Sequence, residues 1–196
     1  MTITPLIDYF NRIVSLTPAE EEMIREKITY RRYLKDQYLV QQGDVCKHIN
    51  FIVKGCVKLF YASPDGLEHI LMFAIEDWWA SDMGSFITQT PADYNVQCIE
   101  KTELLQLNYT DLEELYIKIP KLERCFRKIT ERSLVASQKR IIRNFSKTAK
   151  ERYLFFKENF PAIEARIPQY MLASYLGITK EFLSRIKSQI AKGDKS

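Results

Sequence analysis

Between Tyr33 and Leu107 the apolar residues come in short runs, each closed by turn-forming residues. The runs Tyr38-Leu-Val40, Ile49-Asn-Phe-Ile-Val53, Val57-Lys-Leu-Phe-Tyr-Ala62, His69-Ile-Leu-Met-Phe-Ala-Ile75, Val96-Gln-Cys-Ile-Glu100 and Leu104-Leu-Gln-Leu107 are too short for helices. They are separated by Gln42-Gly43-Asp44, Lys54-Gly55 and Ser63-Pro64-Asp65-Gly66. Strand-like runs recurring at roughly ten-residue spacing predict an antiparallel β-roll or jelly roll, and Asp65-Gly66 marks a hairpin inside it. Ahead of the strands, Thr17-Pro18-Ala19-Glu20-Glu21 opens a helix: the threonine caps, proline suits the first turn, and the acids face the positive end of the dipole.

Beyond Asn108 the period changes from two to about 3.6. Thr110-Asp111-Leu112-Glu113 has the form of a capping box. From Lys121 to Phe145 a long charged helix carries an irregular apolar stripe of Leu122, Phe126, Ile129, Val135, Ile141 and Ile142. Such a stripe must be covered, and its place between two units suits a second copy of the chain better than the chain's own strands. Helices over Lys147–Asn159, Pro168–Leu176 and from Thr179 to Ile190 follow, the last two broken by Gly177. The expected class is therefore α+β: a sensor-like roll over 1–108, connecting and dimerisation helices over 109–146, and a three-helix unit over 147–196.

Charge sharpens this division. Residues 1–120 carry 11 Lys/Arg against 18 Asp/Glu, whereas 121–196 carry 18 against 7. A second half this basic suits a polyanion. The cysteines at 46, 56, 98 and 125 and the histidines at 48 and 69 lack the short spacings of a metal site, so buried thiols and no metal are expected. No nucleophile–base pair, phosphate-cradling glycine loop or zinc motif argues for an enzyme. No eighteen-residue apolar run or secretion signal is present, which points to the cytoplasm and away from a membrane.

The segment Gln169 to Ile186 has the spacing of a helix-turn-helix. Leu172 and Leu176 share the inner face of its first helix, Ala173 allows close approach, and Gly177 suits a left-handed turn. Ile178 plugs the corner, Thr179 caps the second helix, and Leu183, Ile186 and Ile190 return to the core. Glu181, Ser184 and Arg185 stand side by side on the opposite face at i, i+3 and i+4. Arginine can grip guanine through two hydrogen bonds, glutamate can accept from cytosine N4, and serine can serve a base or a phosphate. Lys180 joins these as a base contact, with Thr179, Gln169 and Lys187 assigned to the DNA backbone. A competing reading is a ligand-sensing roll whose helical C-terminus binds a protein; its weakness is the basic second half.

Across nearly its whole length the chain resembles the Crp/Fnr family of regulators. Gln42-Gly43-Asp44, Ile49 through Phe60 and Asp65-Gly66 resemble the family's cyclic-nucleotide-binding-like roll, and Glu181-Phe-Leu-Ser184-Arg185 matches the Glu-x-x-Ser-Arg recognition pattern of its Fnr-like branch. The resemblance implies a homodimer reading an inverted repeat in double-stranded DNA, with RNA polymerase a further candidate partner. Two departures stand out. Where nucleotide-binding members hold a Gly-Glu pair and then an Arg-Ser or Arg-Thr pair, this chain has Ala80-Ser81 or Ser81-Asp82 and then Tyr94-Asn95. With no Lys or Arg between Lys58 and Lys101, cyclic AMP bound in the family's usual way is not expected. Trp79, Ser81, Asp82, Tyr94 and Asn95 are the candidate effector-pocket residues, and together with Trp78 and Phe86 the aromatics among them either line an apolar ligand site or fill it as core. No cofactor is expected; the cysteine cluster of the family's oxygen sensors is missing, which disfavours an iron–sulfur switch. The second departure is at the end, where Ala191 to Ser196 is too short for the family's β-hairpin wing, leaving Lys192 and Lys195 as loose backbone contacts.

Overall fold

The computed structural model describes residues 3–193. Two helices lead, α1 (Thr4–Asn11) and α2 (Pro18–Lys27). At α2 the Thr17 hydroxyl accepts from the Glu20 N–H, and the Glu20 carboxylate accepts from the Thr17 N–H at 2.6 Å, completing a capping box with Pro18 behind it. The chain then runs through β1 (Thr29–Tyr33), β2 (Tyr38–Val40), β3 (His48–Lys54), β4 (Val57–Ala62), β5 (Glu68–Ala74), β6 (Trp79–Ala80), the short α3 (Met83–Thr88), β7 (Asn95–Cys98) and β8 (Thr102–Asn108). All the pairings are antiparallel, in two four-stranded sheets of order β1-β8-β3-β6 and β2-β7-β4-β5. This is the expected roll. Every apolar run became a strand, and β4 and β5 form the hairpin predicted around Asp65-Gly66.

Inside the roll Ile49, Phe51, Ile52, Val57, Leu59, Val96 and Leu104 form a core that α1 closes with Leu6 and Phe10. The buried polar residues on the sheet are paired: Asn50 donates to the Ala80 carbonyl and accepts from Gln106 Nε2, both at 2.8 Å. Gly55, between β3 and β4, has φ +118°, and a Cβ there would lie 2.5 Å from Thr102 Oγ1 and 2.7 Å from its Cα.

After β8 come α4 (Tyr109–Lys118) and the long α5 (Lys121–Ser146). The capping box expected at Thr110 is not formed. The cap is Asn108, whose side chain accepts from the Asp111 N–H at 2.8 Å. Asn108 is also the last residue of β8, paired with His48, so the chain turns from strand to helix on one extended residue and Thr110 falls within the first turn.

The apolar stripe of α5 is split. Leu122 is fully buried in the chain's own core, and Phe126 and Ile129 pack half-buried against it, Phe126 lying 5.3 Å from the Trp79 ring and 5.8 Å from Phe10. This corrects the expectation that Leu122 sits in a seam with a partner: its surface is already spent on α1 and the roll. Of the six stripe residues Val135, Ile141 and Ile142 are exposed, and they are joined by Leu134 and Phe145, the last 88% exposed.

The remaining helices are α6 (Ala149–Asn159), α7 (Pro161–Glu164), α8 (Gln169–Leu176) and α9 (Lys180–Ala191), of which the one-turn α7 was not expected. They do not form an isolated unit. Cys56, Phe60, Ile70, Phe73 and Ile99 from the roll share one core with Tyr153, Phe156, Leu172 and Leu176. Polar bonds frame it: Ser174 Oγ donates to the Glu68 carbonyl at 2.6 Å and accepts from the Ile70 N–H at 3.1 Å. Arg166 forms a two-pronged ion pair with Glu76, at 2.8 and 3.1 Å, and a second pair with Glu100. Burial pushes the Glu76 carboxyl up, but Arg166 and the Gly55 N–H more than offset this and leave it below the ordinary 4.5.

Two outcomes are expected. Gly55→Ala forces a side chain onto the Thr102 backbone at an unfavourable φ, and should lower the urea midpoint by an amount equivalent to about 1–3 kcal/mol; an unchanged midpoint would refute the contact. Because the folded pKa of Glu76 is depressed, its stabilisation is complete above its unfolded value of 4.5 and is lost as pH falls through the lower folded value. Urea unfolding followed across that acid range should show wild type losing more stability than Glu76→Gln.

Candidate nucleic-acid interface

The two helices α8 and α9 meet as the sequence predicts. Gly177 ends α8 in the left-handed region at φ 67°, ψ 38°, and the Ile178 N–H returns to the Ala173 carbonyl at 3.0 Å. Ile178 is half-buried in the corner, and Thr179 Oγ1 accepts from the Phe182 N–H at 3.2 Å to cap α9. Leu172, Ala173 and Leu176 on α8, with Leu183 and Ile186 on α9, are buried together.

This arrangement turns the other side of α9 outward. Lys180, Glu181, Ser184 and Arg185 are all exposed, as are Thr179 and Gln169. The Arg185 guanidinium lies 5.3 Å from the Phe182 ring, itself 41% exposed, so the arginine is backed by an apolar surface and makes no ion pair among the described residues. An open groove brings Gln169 and Lys157 beside Ser184, Lys187 and Ser188. Lys187 is less free than its neighbours: half-buried, it stands 3.6 Å from Glu164 and 5.6 Å from the centre of the Tyr153 ring. Glu164 in turn accepts from the Tyr153 hydroxyl at 2.8 Å. Lys192 ends α9, while Lys195 lies outside the described residues.

The candidate effector residues do not gather into one pocket. Trp79, in β6, packs among Tyr9, Phe10, Phe51 and Phe126, while its neighbour Trp78 has its ring 6.1 Å from Phe160. Phe86 is buried core. Ser81, Asp82 and Tyr94 do come together. Asp82, 1% exposed, caps α3 by accepting from the Ser85 N–H at 3.0 Å, and accepts from the Asp93 N–H at 2.9 Å. Tyr94 donates to the Ser81 carbonyl at 3.2 Å, and burial, followed by the Asp82 charge, pushes its hydroxyl up to about 12. Asn95 instead accepts from the Gln42 N–H at 2.9 Å. These side chains are spent on the fold, and the charged group among them is a carboxylate. A phosphate anion placed beside it would meet repulsion in a low-dielectric setting.

All four cysteines are free and buried, and burial raises their thiols, to about 12 at Cys56 and about 11 at Cys98 and Cys125. Sequence reasoning missed Arg140, Arg166 and Ser174, which hold the helix-turn-helix against the roll. Their partners on the roll lie 66 to 106 residues away in the chain, beyond the reach of any local pattern.

Comparison with known proteins follows the same lines. Residues 30–118, from β1 through α4, match the cyclic nucleotide-binding domain family. The chain is 24% identical over 193 residues to the transcriptional activator protein Anr of Pseudomonas protegens, covering 92% of this chain and 78% of that protein. It is 26% identical over 194 residues to the fumarate and nitrate reduction regulatory protein of Vibrio cholerae, covering 92% and 76%. Among solved structures it shares its fold with FixK2 from Bradyrhizobium japonicum, at a TM-score of 0.75 and 19% identity over 85% of each chain. The c-di-GMP responsive global regulator CLP of Xanthomonas campestris superposes at a TM-score of 0.72 and 20% identity, over 90% of this chain and 93% of that one. Across the roll, the long helix and the helix-turn-helix, the chain is similar to regulators of the Crp/Fnr family.

Proposed function

We propose that this protein is a sequence-specific, DNA-binding transcription regulator acting as a homodimer on an inverted repeat, with α9 of each copy in a major groove. The observation that carries this reading is the division of α9. Leu183 and Ile186 are buried while Lys180, Glu181, Ser184 and Arg185 stand bare on one side, none of them in an ion pair among the described residues. Arg185 and Glu181 read base edges, Ser184 and Lys180 assist, and Thr179, Gln169 and Lys187 meet the backbone. Half-sites then lie about one helical turn apart.

The dimer seam in this reading is the distal half of α5, where Leu134, Val135, Ile141, Ile142 and Phe145 leave an apolar surface uncovered. The chain divides into a roll over 1–108, connecting and dimerisation helices over 109–146 and the DNA-binding unit over 147–196. Cyclic AMP is not its effector in the family's usual way, since Tyr94 and Asn95 stand where the arginine pair belongs and the charged group beside them is the Asp82 carboxylate. The named relatives are regulators rather than enzymes, and no helix among the described residues is long and apolar enough to cross a membrane.

Replacing Arg185 by alanine should cost about 1–3 kcal/mol of affinity for the cognate site while hardly changing binding to random duplex, as read by fluorescence anisotropy. Equal loss on both DNAs would reduce Arg185 to a phosphate contact. Ile142→Glu places a charge in the seam and should convert the dimer to monomer in sedimentation equilibrium, with loss of inverted-repeat binding. A dimer that persists in this variant would place the seam elsewhere.

A further inference from the structure

Where α5, α6 and α8 meet, three guanidinium groups border one small cleft. Arg140 and Arg143 come from α5 and Arg152 from α6, with Phe155, Phe160 and Tyr175 completing the wall. By helical phase this side of α5 is turned away from the apolar stripe: Arg143 follows Leu134 by nine residues, two and a half turns.

The cluster has no acid to balance it. Arg140 bonds to carbonyl oxygens alone, those of Leu71, Ile70 and Tyr175, and lies 4.1 Å from the centre of the Tyr175 ring. Arg152 donates to the carbonyls of Lys147 at 2.8 Å and Leu176 at 3.0 Å, but its Nε is buried with no hydrogen-bond partner among the described residues. Arg143 sits 4.0 Å over the Phe155 ring. None of the three is in an ion pair with a carboxylate among the described residues. Glu151, next in sequence to Arg152, is already taken by the Thr148 N–H at 2.8 Å and by Lys147 at 3.0 Å. Burial, with Arg143 adding to it, lowers the pKa of Arg140. Three like charges and an orphaned buried donor around one opening are a costly arrangement unless an anion shares the space.

We propose that this cleft is an oxyanion site that takes one phosphoryl group. Its interior is only about 20 Å³, room for a single water-sized group, so one phosphoryl oxygen enters among the three arginines and the rest stays at the mouth; a nucleoside does not fit inside. The guanidinium fork suits phosphate geometry, and Arg140 ties the site to both β5 and α8. An anion relieving the repulsion between Arg140 and Arg143 would therefore tighten the docking of the helix-turn-helix on the roll.

The test is calorimetric titration of the full chain with inorganic phosphate in the absence of DNA, which reads this site whether or not the DNA reading holds. Saturable binding is expected, weakened about tenfold by Arg143→Ala. Arg143 makes no side-chain hydrogen bond among the described residues, so this variant should retain its circular dichroism and melting point, and Lys35→Ala, exposed on the roll and outside both the cleft and the groove of α9, should bind phosphate as wild type does. The two sources of such a group separate in a second arm. If the group is a duplex phosphate, inorganic phosphate competes with DNA and Arg143→Ala reduces the salt slope of DNA binding by about one. If it is a free oxyanion, phosphate and DNA bind together and the slope is unchanged. Absence of saturable phosphate binding, or equal binding by wild type and Arg143→Ala, would overturn the proposal.

Discussion

The core that the roll shares with its C-terminal helices governs the rest of the molecule. Phe60, Ile70 and Phe73 on one side and Phe156, Leu172 and Leu176 on the other form a single apolar contact. Burying surface of this kind is favourable at about 25 cal/mol per Å² and has no directional preference. By itself it would let the helices slide. Direction comes from the polar bonds at its edges, where Ser174 is fastened to two backbone groups of β5 and Arg166 spans Glu76 and Glu100. The position of α9 is thus set through α8, with no contact from α9 itself needed to hold it to the roll. That separation leaves the outer side of α9 free of structural duty.

The same logic explains how much could be read in the sequence. The strands of the roll were legible because their cores alternate or run apolar between glycine-bearing turns, and the helix-turn-helix was legible because Gly177, Ile178 and Thr179 each have a local reason to be there. Strand β1 was not, since its edge position leaves Thr29-Tyr-Arg-Arg-Tyr33 mostly exposed and without an apolar signature. At Thr110 a valid local pattern lost to Asn108, because the strand pairing of β8 fixed where the helix had to start. Periodicity showed that α5 needed cover but not which cover: the half near Leu122 found it in Trp79 and Phe10, which are distant in sequence. The base-reading candidates share a face for local reasons, whereas the effector candidates depended on long-range placement, and they came apart: Trp79 to α1 and α5, Asn95 to Gln42.

Inside the roll, converging backbone N–H groups are satisfied by a charge on the chain itself. A phosphate-binding pocket needs a cation or a set of free backbone N–H groups. Here the N–H groups of Ser85, Asp93 and Tyr94 are present and converge, but they converge on the Asp82 carboxylate. These N–H groups are thus already satisfied by an anion that the chain itself supplies. A diffusible anion would have to displace a group whose effective concentration is that of an intramolecular contact.

Helix α5 connects these features in the proposed dimer. One face of its distal half bears the apolar stripe from Leu134 to Phe145, and the opposite face bears Arg140 and Arg143. A partner copy packed on the first face fixes the rotation of α5 about its axis, since side chains interdigitate and do not slip freely. Arg140 then carries that rotation to the carbonyls of Ile70 and Tyr175, one on the roll and one at the end of α8. The spacing of two recognition helices must match about 34–36 Å along a duplex, so small turns of α5 are levered into large errors at α9. A rigid connection at Arg140 is therefore what lets a seam on one side of a single helix set the register of a groove contact on the other.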